Sequence, residues 1–256
     1  MIHPTAMVHA EARLAPSVRV GPGSLIGADV EVGENTWIGA YCVINGPTRI
    51  GTDNRIYQFN SIGDIPQDKK YRGEISYLEI GDRNVIREYC TFNRGTELGG
   101  GTTRVGSDNW IMAYVHIAHD CGVGSHTVMA NGTTLAGHVT VDDHAIFGAF
   151  SSVHQFCSIG SYSFSAMGSV ILKDVPPFVM VAGNSAKPRG LNTEGLRRQG
   201  FTPEAIRALR NAYRTLYKKG LTLEQATAQL QALALECEHI AAIVDFLGRS
   251  RRGIVR

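Results

Sequence analysis

Aliphatic residues recur at every sixth position along most of this chain. The first series contains eleven of them: Ile2, Val8, Leu14, Val20, Ile26, Val32, Ile38, Ile44, Ile50, Ile56 and Ile62. The same phase resumes at Ile80, Ile86, Phe92 and Leu98. It then slips by one residue and continues as Val105, Ile111, Ile117, Val123, Met129, Leu135, Val141, Phe147, Val153, Ile159, Ser165 and Ile171. Ser165 alone interrupts this last series, so one period governs the chain as far as Ile171.

A period of six fits neither the turn of an α-helix nor the simple alternation of a strand with one buried face. It is typical of a parallel β-helix, in which three short strands form one triangular coil of about 18 residues. About ten such coils, at a strand spacing of about 4.8 Å, give a prism roughly 45 to 50 Å tall. We therefore predict a mainly β fold, with a parallel β-helix over residues 1–190 and inserted loops at 64–79 and 94–104, where the period fails.

Beyond residue 190 the pattern becomes helical. Thr202, Pro203 and Glu204 form a helix start, and Thr222 with Gln225 has the spacing of a capping box. Apolar residues follow at helical spacing: Ile206, Leu209, Tyr213, Leu216, Leu230, Leu233, Ile240, Ile243, Val244 and Leu247. We predict a C-terminal α-helical domain over residues 191–256.

Composition narrows the class of protein. The chain has 256 residues, of which 43% are hydrophobic, enough for a substantial core. It shows neither a basic and apolar leader nor a run of eighteen apolar residues, so we expect a soluble, cytoplasmic protein without stable membrane insertion. Four of the five cysteines stand four places after a repeat aliphatic, at 42, 90, 121 and 157. We therefore expect small buried side chains rather than disulfides or a cysteine metal site.

Charge is distributed unevenly although the net charge is only +2. Residues 1–186 carry 12 basic and 17 acidic side chains, whereas residues 187–220 carry 9 basic and 2 acidic ones. This basic segment indicates either an acidic or phosphate-bearing partner or a solvated helix face. No DNA-binding motif occurs and the predicted prism is net negative, so we expect no nucleic-acid partner.

The stretch HIAHDC at 116–121 is the strongest candidate for chemistry. Residues 18 apart lie in one column of such a prism, and neighbouring coils are only about 4.8 Å apart. The repeat therefore gathers several polar residues and one glycine into a patch two coils high. They are His116, His119, Gly137, His138, His154 and Gln155.

Three functions remain open for this patch from the residues alone. In the first alternative the histidines have no function and lie on a solvent-exposed edge, as single histidines such as His9 or His126 usually do. Alternatively they bind zinc, as in carbonic anhydrases built on the same repeat. In the third alternative His119 is a general base that Asp120 holds in one tautomer. The chain has no G-x-S-x-G elbow and no catalytic-cysteine signature, which favours direct, base-assisted transfer if acyl chemistry occurs.

Nine segments, read in order, resemble the UDP-N-acetylglucosamine O-acyltransferase family of lipid A biosynthesis. They are IYQFNSIGD, DKKY, IGDRNVIRE, VGSDNWIM, HIAHDC, LAGHV, VHQFC, DVPPFV and GNSAKPRGLNTEGLRRQGF. The resemblance runs almost end to end and includes the helical tail. It implies that the β-helix is left-handed, an exception to the usual crossover rule.

The resemblance also implies an activity. Family members transfer a 3-hydroxyacyl group from acyl carrier protein to the 3-position of the glucosamine unit of UDP-GlcNAc. They act as homotrimers with sites between subunits. They need no metal or bound cofactor, because the donor carries its own phosphopantetheine. Acyl carrier protein is acidic, so it matches the basic segment as a partner.

Site residues follow from the same resemblance. His119 matches the catalytic base, Asp120 the residue that orients it, and Gly137 the backbone donor to the thioester oxyanion. Residues matching substrate contacts are Asp68, Lys70, His116 and His138 for the sugar, His154 and Gln155 for the acyl chain and nucleotide, and Asn192, Glu194 and Arg198 for the nucleotide and its phosphates.

Three positions bear on specificity. The family's histidine before Arg-Gly is Asn93 here, which leaves open a 3-amino sugar analogue as acceptor. The second arginine of the family's tail motif is Gln199, so phosphate binding would depend on Arg198. Met167 matches a ruler that ends the acyl cleft, unless it is ordinary apolar filler. It lies 48 residues beyond His119, about 2.7 coils or roughly 13 Å along the axis, so we expect an acyl chain of about ten carbons.

Overall fold

The computed structural model describes residues 1–235 and 237–256. Residues 1–191 wind into a parallel β-helix of triangular cross-section, as the hexad pattern predicts, and it is left-handed, as the family resemblance implies. Strands of two to five residues stack into three sheets, called sheets 1, 2 and 3 below. Successive strands of the chain pass from sheet 1 to sheet 2 to sheet 3, so each coil contributes one strand to each face.

The strands of each sheet are given in stacking order. Sheet 1 contains Met7–Val8, Leu25–Ile26, Val43–Ile44, Ser61–Asp64, Thr91–Asn93, His116–Ile117, Thr134–Leu135, Ser152–Val153 and Val170–Ile171. Sheet 2 contains Arg13–Leu14, Val30–Val32, Thr48–Ile50, Tyr77–Ile80, Thr102–Val105, Gly122–Val123, Thr140–Val141 and Ser158–Ile159. Sheet 3 contains Arg19–Val20, Trp37–Ile38, Arg55–Ile56, Val85–Ile86, Trp110–Ile111, Val128–Met129, Ile146–Phe147, Phe164–Ser165 and Val179–Ala182, and ends with the antiparallel strand Lys187–Leu191.

Strand pairing explains both the period and its slip. Most paired residues are 18 apart, as in Met7 with Leu25. Ser61 instead pairs with Thr91, thirty residues on, so the first insertion adds twelve residues and leaves the hexad phase unchanged. Thr91 pairs with His116, twenty-five residues on, so the second insertion adds seven residues and shifts the phase by one.

The inserted loops are shorter than the sequence indicated, and one repeat residue was assigned wrongly. The first loop occupies 65–76 and the second 94–101, because the flanking residues join strands of sheets 1 and 2. Leu98 does not belong to the core. It lies in a 3-10 turn, Glu97–Gly99, in the second loop, and its side chain is 82% exposed. Its agreement with the hexad phase is a coincidence of spacing.

The core is a column of aliphatic side chains inside the prism. Ile38, Ile56 and Ile117 are typical members and are fully buried. Ser165, the exception in the pattern, also points inward, where its hydroxyl lies 2.8 Å from that of Ser151. The expectation for the cysteines is confirmed: all five are free, and the four in the prism are buried. Burial raises the pKa of the Cys90 thiol to about 12, so it is a packing residue and not a nucleophile.

The chain changes direction at the three corners of the prism. In many coils the turn contains a residue with left-handed backbone conformation. At corner 3–1, between sheets 3 and 1, four such residues stack their rings 5.0–5.7 Å apart with nearly parallel planes. We call these residues, Tyr41, Phe59, Tyr89 and Tyr114, the aromatic ladder. Each ring is more than one-third exposed in the single chain. A continuous apolar strip of this kind is typical of a surface that another protein covers.

In the described part of the predicted C-terminal domain there are four helices: α1 (Thr193–Arg198), α2 (Pro203–Tyr217), α3 (Leu223–Ala234) and α4 (Glu238–Arg249). Thr222 and Gln225 make the expected capping box. The domain packs on corner 2–3, where Phe178 contacts Phe201 and the apolar faces of α2 and α4. The chain then returns to the prism and Ile254 pairs with Asp174. Among the described residues, no helix combines the length and apolar character that crossing a bilayer requires.

Candidate active site

Corner 1–2 carries the residues that the HIAHDC motif and its columns indicated. Residues 119–120, 137–138 and 154–156 turn this corner in three successive coils, between strands of sheet 1 and sheet 2. Asp120, His138 and Phe156 all adopt left-handed backbone conformations there. This conformation is uncommon for residues with a Cβ atom, and here it repeats because each coil turns the corner in the same way. The repeat therefore stacks these side chains in register.

His119 and Asp120 form a hydrogen-bonded pair. Nδ1 of His119 lies 2.8 Å from Oδ2 of Asp120. The Asp120 side chain is fully buried, whereas 13% of the His119 side chain is exposed. Burial alone would raise the pKa of Asp120, but hydrogen bonds from His119 and Thr96 outweigh it and hold the pKa below its usual value. Asp120 is therefore ionised at neutral pH.

The ionised carboxylate fixes the tautomer of His119. A carboxylate only accepts hydrogen bonds, so Nδ1 of His119 must carry the proton and donate it to Asp120. Nε2 then has a free lone pair. This is the arrangement that a histidine general base needs, with the orienting carboxylate behind it and the basic nitrogen at the exposed side.

Gly137 lies against the imidazole of His119 one coil away. A Cβ atom on residue 137 would lie 2.6 Å from Cε1 and 2.7 Å from Nε2 of His119, closer than non-bonded carbon atoms approach. Glycine is thus required for the imidazole to lie where it does. Within residues 1–235 and 237–256, no group accepts a hydrogen bond from the Gly137 N–H. The amide is therefore free to donate a hydrogen bond, which is the role that the family resemblance implies for it.

His138 continues the cluster on the next coil. Its ring is perpendicular to that of His119 at 5.1 Å and stacks on Phe156 at 4.4 Å. Burial lowers the pKa of His138, although the nearby charge of Asp120 acts in the opposite direction. His138 is therefore neutral at pH 7 and is able to donate or accept a hydrogen bond. Phe156 holds its ring in place.

His116 lies on the neighbouring strand of sheet 1. Its Nδ1 is 2.7 Å from the hydroxyl of Thr91, one coil below. Burial lowers the pKa of His116, and the nearby His119 lowers it further. The side chain is a neutral, oriented polar group next to the catalytic pair.

The first inserted loop reaches towards the same corner. The charges of Asp68 and Lys70 act on the pKa of His138 in opposite directions, although less strongly than burial does. Asp68 also holds the loop, since its Oδ1 accepts the Lys70 N–H at 2.9 Å. His154 and Gln155 are exposed one coil beyond Gly137, where Nδ1 of His154 lies 3.1 Å from the carbonyl oxygen of Gln155.

Asn93, which replaces the family's histidine, lies at the end of a strand of sheet 1. Its side chain is buried and its Nδ2 donates to the carbonyl oxygen of Ile65 at 2.7 Å. It therefore ties the second inserted loop to the base of the first, the loop that carries Asp68 and Lys70. Its effect on the acceptor would act through the position of that loop.

Other predicted site residues lie at different corners of the same chain. Met167 turns corner 3–1 and is 74% exposed, at the opposite edge of sheet 1 from His119. Asn192 caps α1 and donates through Nδ2 to the carbonyl oxygen of Tyr162, at corner 2–3. Glu194 forms exposed ion pairs with Arg197 and Arg198 on the same helix. One chain alone does not bring these residues to the catalytic pair.

A cavity of about 520 Å³ opens beside the catalytic corner. His138 and Phe156 form one wall, Leu98 and Gly99 of the second loop another, and Arg249 and Arg251 from the end of α4 a third. Arg249 pairs with Asp142. Sequence reasoning did not assign these arginines, since nothing in their local pattern shows where the tail returns to the prism.

Two further site residues escaped the sequence analysis for different reasons. Phe156 stands 18 residues after His138, so the column rule was sufficient to find it. Thr96, which donates two hydrogen bonds to Asp120, lies inside an insertion where the column rule fails. No local signal in the sequence identifies it.

The side chains of His119, Asp120 and His138 also lie close enough together to share a metal ion, with ligand atoms within 4.8 Å of one another. Both carboxylate oxygens of Asp120, however, already accept hydrogen bonds from Thr96 or His119. A metal ion on Asp120 would have to displace these donors. The hydrogen-bond pattern favours a dyad over a metal centre.

Comparisons with known proteins agree with this geometry. Residues 29–64 and 102–137 match the family described as bacterial transferase hexapeptide (six repeats). Residues 174–255 match the second domain of UDP-N-acetylglucosamine O-acyltransferase. The acyl-[acyl-carrier-protein]--UDP-N-acetylglucosamine O-acyltransferase of Thiobacillus denitrificans is 54% identical over all of this chain and 99% of its own length. The protein of that name from Halorhodospira halophila is also 54% identical, with the same coverage.

Solved structures agree equally well. A Francisella novicida UDP-N-acetylglucosamine acyltransferase superposes with a TM-score of 0.98 and 46% identity, over all of this chain and 94% of the other. LpxA from Acinetobacter baumannii gives a TM-score of 0.98 and 45% identity, over all of this chain and 99% of the other. With identities this high over the full length, the chain belongs to the UDP-N-acetylglucosamine O-acyltransferase family.

Proposed function

We propose that this protein transfers a 3-hydroxyacyl chain from acyl carrier protein to the 3-position of the glucosamine unit of UDP-GlcNAc, the first step of lipid A biosynthesis. The observation that carries the proposal is the hydrogen-bonded Asp120–His119 pair, with Gly137 packed against the imidazole and its N–H without an acceptor among the described residues. Acyl transfer needs a base and an oxyanion donor, and these two residues would supply them from adjacent coils. The names and full-length similarity of the relatives supply the substrates.

The chain's own residues account for each step. Nε2 of His119 removes the proton from the sugar 3-hydroxyl as its oxygen attacks the thioester carbon. The new C–O bond forms while the carbonyl electrons move to oxygen, where the Gly137 N–H stabilises the negative charge. The electrons then return, the C–S bond breaks, and the imidazolium of His119 gives its proton to the leaving thiolate. The reaction as written needs no further cofactor, because the phosphopantetheine arm belongs to the donor.

The acyl chain and the acceptor atom are finer parts of the proposal. Met167 would end the acyl cleft for a chain of about ten carbons, by the axial distance of roughly 13 Å from His119. The acceptor is the 3-hydroxyl sugar, with the 3-amino analogue as the alternative that Asn93 raises. A mass-spectrometric assay with mixed acyl donors and both sugars identifies the preferred pair directly.

We propose a homotrimer because the site residues occupy all three corners of the prism. Corner 1–2 carries His119, corner 3–1 carries Met167, and α1 lies at corner 2–3. Corners of neighbouring subunits would have to meet to form one complete pocket. The exposed aromatic ladder at corner 3–1 supports this arrangement, since subunit contact would remove it from water.

Complementation between inactive variants tests the activity and the assembly together. His119→Ala and Arg198→Ala are co-expressed with different affinity tags, and mixed oligomers are purified through both. If each site combines corners from two subunits, every mixed trimer keeps one site intact, about a third of the total, so activity returns. The matched pair His119→Ala with Asp120→Ala, both at corner 1–2, stays inactive. Activity in His119→Ala alone would refute the proposed base, and no recovery in the first pair would refute the shared site.

A zinc hydro-lyase is the second candidate, because His119, Asp120 and His138 are close enough to bind one ion. Metal analysis of the purified protein separates the two functions. Stoichiometric zinc, with activity lost on chelation, would favour the hydro-lyase, whereas acyl transfer that resists a chelator supports the proposal. Inert histidines on a non-catalytic scaffold would leave every activity unchanged in His119→Ala.

Acyl carrier protein is the proposed macromolecular partner. Exposed basic residues along α2 support it: Arg207, Arg210, Arg214, Lys218 and Lys219. Opposite charges accelerate the encounter of such partners. The cytoplasmic location expected from the sequence stays a prediction.

A further inference from the structure

The second inserted loop encloses the carboxylate of Asp120. The backbone N–H of Thr96 donates to Oδ1 at 2.8 Å, and its hydroxyl donates to Oδ2 at 2.7 Å. Thr96 is itself buried, with 4% of its surface exposed. The nearest polar groups to the catalytic carboxylate, apart from His119, therefore belong to one residue of a loop that interrupts the β-helix.

Two glycines of the same loop leave room for this contact. A Cβ atom on Gly99 would overlap the carboxylate carbon of Asp120. One on Gly95 would lie 2.8 Å from Oδ1, and would clash even more closely with the backbone of Gly101 and Thr102. Neither glycine has a positive φ angle, so backbone conformation does not explain their identity. The loop approaches Asp120 as closely as a backbone without side chains allows.

The hydroxyl of Thr96 has a fixed orientation. It accepts the backbone N–H of Gly99 at 3.2 Å, as the cap of the 3-10 turn. Its hydrogen is then directed at Oδ2 of Asp120, the oxygen that also accepts the Nδ1 proton of His119. Oδ2 of Asp120 thus accepts hydrogen bonds from both Thr96 and His119.

A buried carboxylate needs such donors. Without hydrogen bonds, burial raises the pKa of a carboxyl group and favours its neutral form. A protonated or rotated Asp120 would no longer fix the Nδ1–H tautomer of His119, and Nε2 would lose its free lone pair. The geometry therefore connects Thr96 to the basic nitrogen through Asp120, although Thr96 does not contact His119.

We propose that Thr96 is a positioning residue for the acyl transfer, holding Asp120 ionised and oriented so that Nε2 of His119 remains the base. The inference rests on the proposed function of His119. It gives the second inserted loop a task in catalysis beyond its place in the fold, and Gly99 and Gly95 serve that task by their small size.

The test compares Thr96→Val with Thr96→Ser. Valine has the shape of threonine but neither donates nor accepts, whereas serine keeps the hydroxyl. We expect kcat of Thr96→Val to fall roughly 10- to 100-fold, the effect of losing one hydrogen bond to a charged group. KM for the UDP-sugar should change less than about twofold, and serine should restore most of kcat. Thr133→Val is the matched control, since Thr133 is equally buried but donates to the carbonyl of Ala130.

Two further readouts separate positioning from ordinary structural support. If Asp120 becomes neutral in Thr96→Val, it stabilises the imidazolium of His119 less, so the acid limb of the kcat/KM profile should move to lower pH. In a double-mutant cycle with Asp120→Asn, the double variant should be no slower than Asp120→Asn alone, because Thr96 acts only through Asp120. Additive losses, or an unchanged pH profile with wild-type kcat, would overturn the inference.

Gly99→Ala provides an independent variant if Thr96→Val does not fold. Its added methyl group would overlap the carboxylate of Asp120 and must displace it, so the same fall in kcat at unchanged KM is expected. Wild-type kcat in Gly99→Ala would refute the inference. His119→Gln separates this failure from that of the proposed function. Activity in His119→Gln would refute both the proposed function and the inference about Thr96. If His119→Gln is inactive while Thr96→Val has the kcat of wild type, only the inference about Thr96 is refuted.

Discussion

Gly137 packs so closely against the ring of His119 that a Cβ atom on residue 137 would lie 2.7 Å from Nε2. The two residues come from adjacent coils, and His138 N–H donates to the His119 carbonyl to keep those coils in register. Glycine at this point leaves space for the imidazole. In the proposed reaction its N–H would also stabilise the thioester oxyanion.

Gly137→Ala should therefore reduce kcat/KM by at least about 100-fold, comparable with the loss of an oxyanion donor. The added methyl group must push the imidazole out of its position, while the fold stays intact because the clash is with the tip of one side chain. Gly122→Ala is the matched control, since a Cβ at residue 122 meets no atom within 4 Å. Steady-state kinetics and thermal melting of both variants check this. Equal activity in the two would contradict the assignment.

Asp120→Asn should lower kcat by about 10²- to 10⁴-fold, the range that general-base catalysis contributes. An amide at this position presents a donor to Nδ1 of His119, which would favour the Nε2–H tautomer and remove the base. Binding of the UDP-sugar, measured by calorimetry, should change little. Tight binding with slow turnover is the expected signature. A parallel loss of both would show that Asp120 holds the pocket and not the tautomer.

Residue spacing predicts which side chains lie together wherever the coils have their regular length of 18 residues. An 18-residue coil places Gly137 next to His119 and His138 one residue further on, so the spacing alone was sufficient to assemble that cluster. The cysteines followed from the same rule because their slot faces the interior. In each case the fold converts sequence distance into spatial distance without further information.

The same rule failed at the insertions. The first adds two hexads and leaves no mark on the phase, while the second adds seven residues and makes Leu98 look like a core position. Thr96 contacts Asp120 across twenty-four residues, a separation that matches no multiple of the coil. Contacts of this kind depend on how a loop folds back, and the periodic pattern carries no information about that.

Met167→Gly should move acyl preference towards longer chains. Removing the methionine side chain opens space at the proposed end of the cleft, and each additional buried methylene contributes about 0.8 kcal/mol. The ratio of turnover with fourteen-carbon to ten-carbon donors should rise at least about tenfold in a competition assay. Met167→Leu, of similar volume, should keep the parent preference. If the ratio of turnover with the two donors is unchanged in Met167→Gly, Met167 does not limit the length of the acyl chain.

Charge reversal on α2 should weaken the encounter with acyl carrier protein. Arg210→Glu with Arg214→Glu is expected to lower kcat/KM for the protein-bound donor about tenfold at low salt, and the difference should shrink as salt screens the charges. Turnover with a short acyl-phosphopantetheine donor should be unaffected. Arg55→Glu, an exposed change on sheet 3, is the control. Equal losses with both donors would place the effect in the site itself.

The half-buried His116 predicts how stability depends on pH. Burial lowers the pKa of His116 in the folded protein below the value of about 6.5 that an unfolded histidine has. As pH falls below about 6.5, the unfolded chain binds a proton at this residue before the folded one does, so the free energy of unfolding decreases. His116→Asn keeps a polar group near Thr91 and removes this titration. Melting curves from pH 7 to pH 5 should therefore show wild type losing stability relative to His116→Asn. Parallel losses in the two proteins would mean that His116 takes up its proton equally well in the folded state.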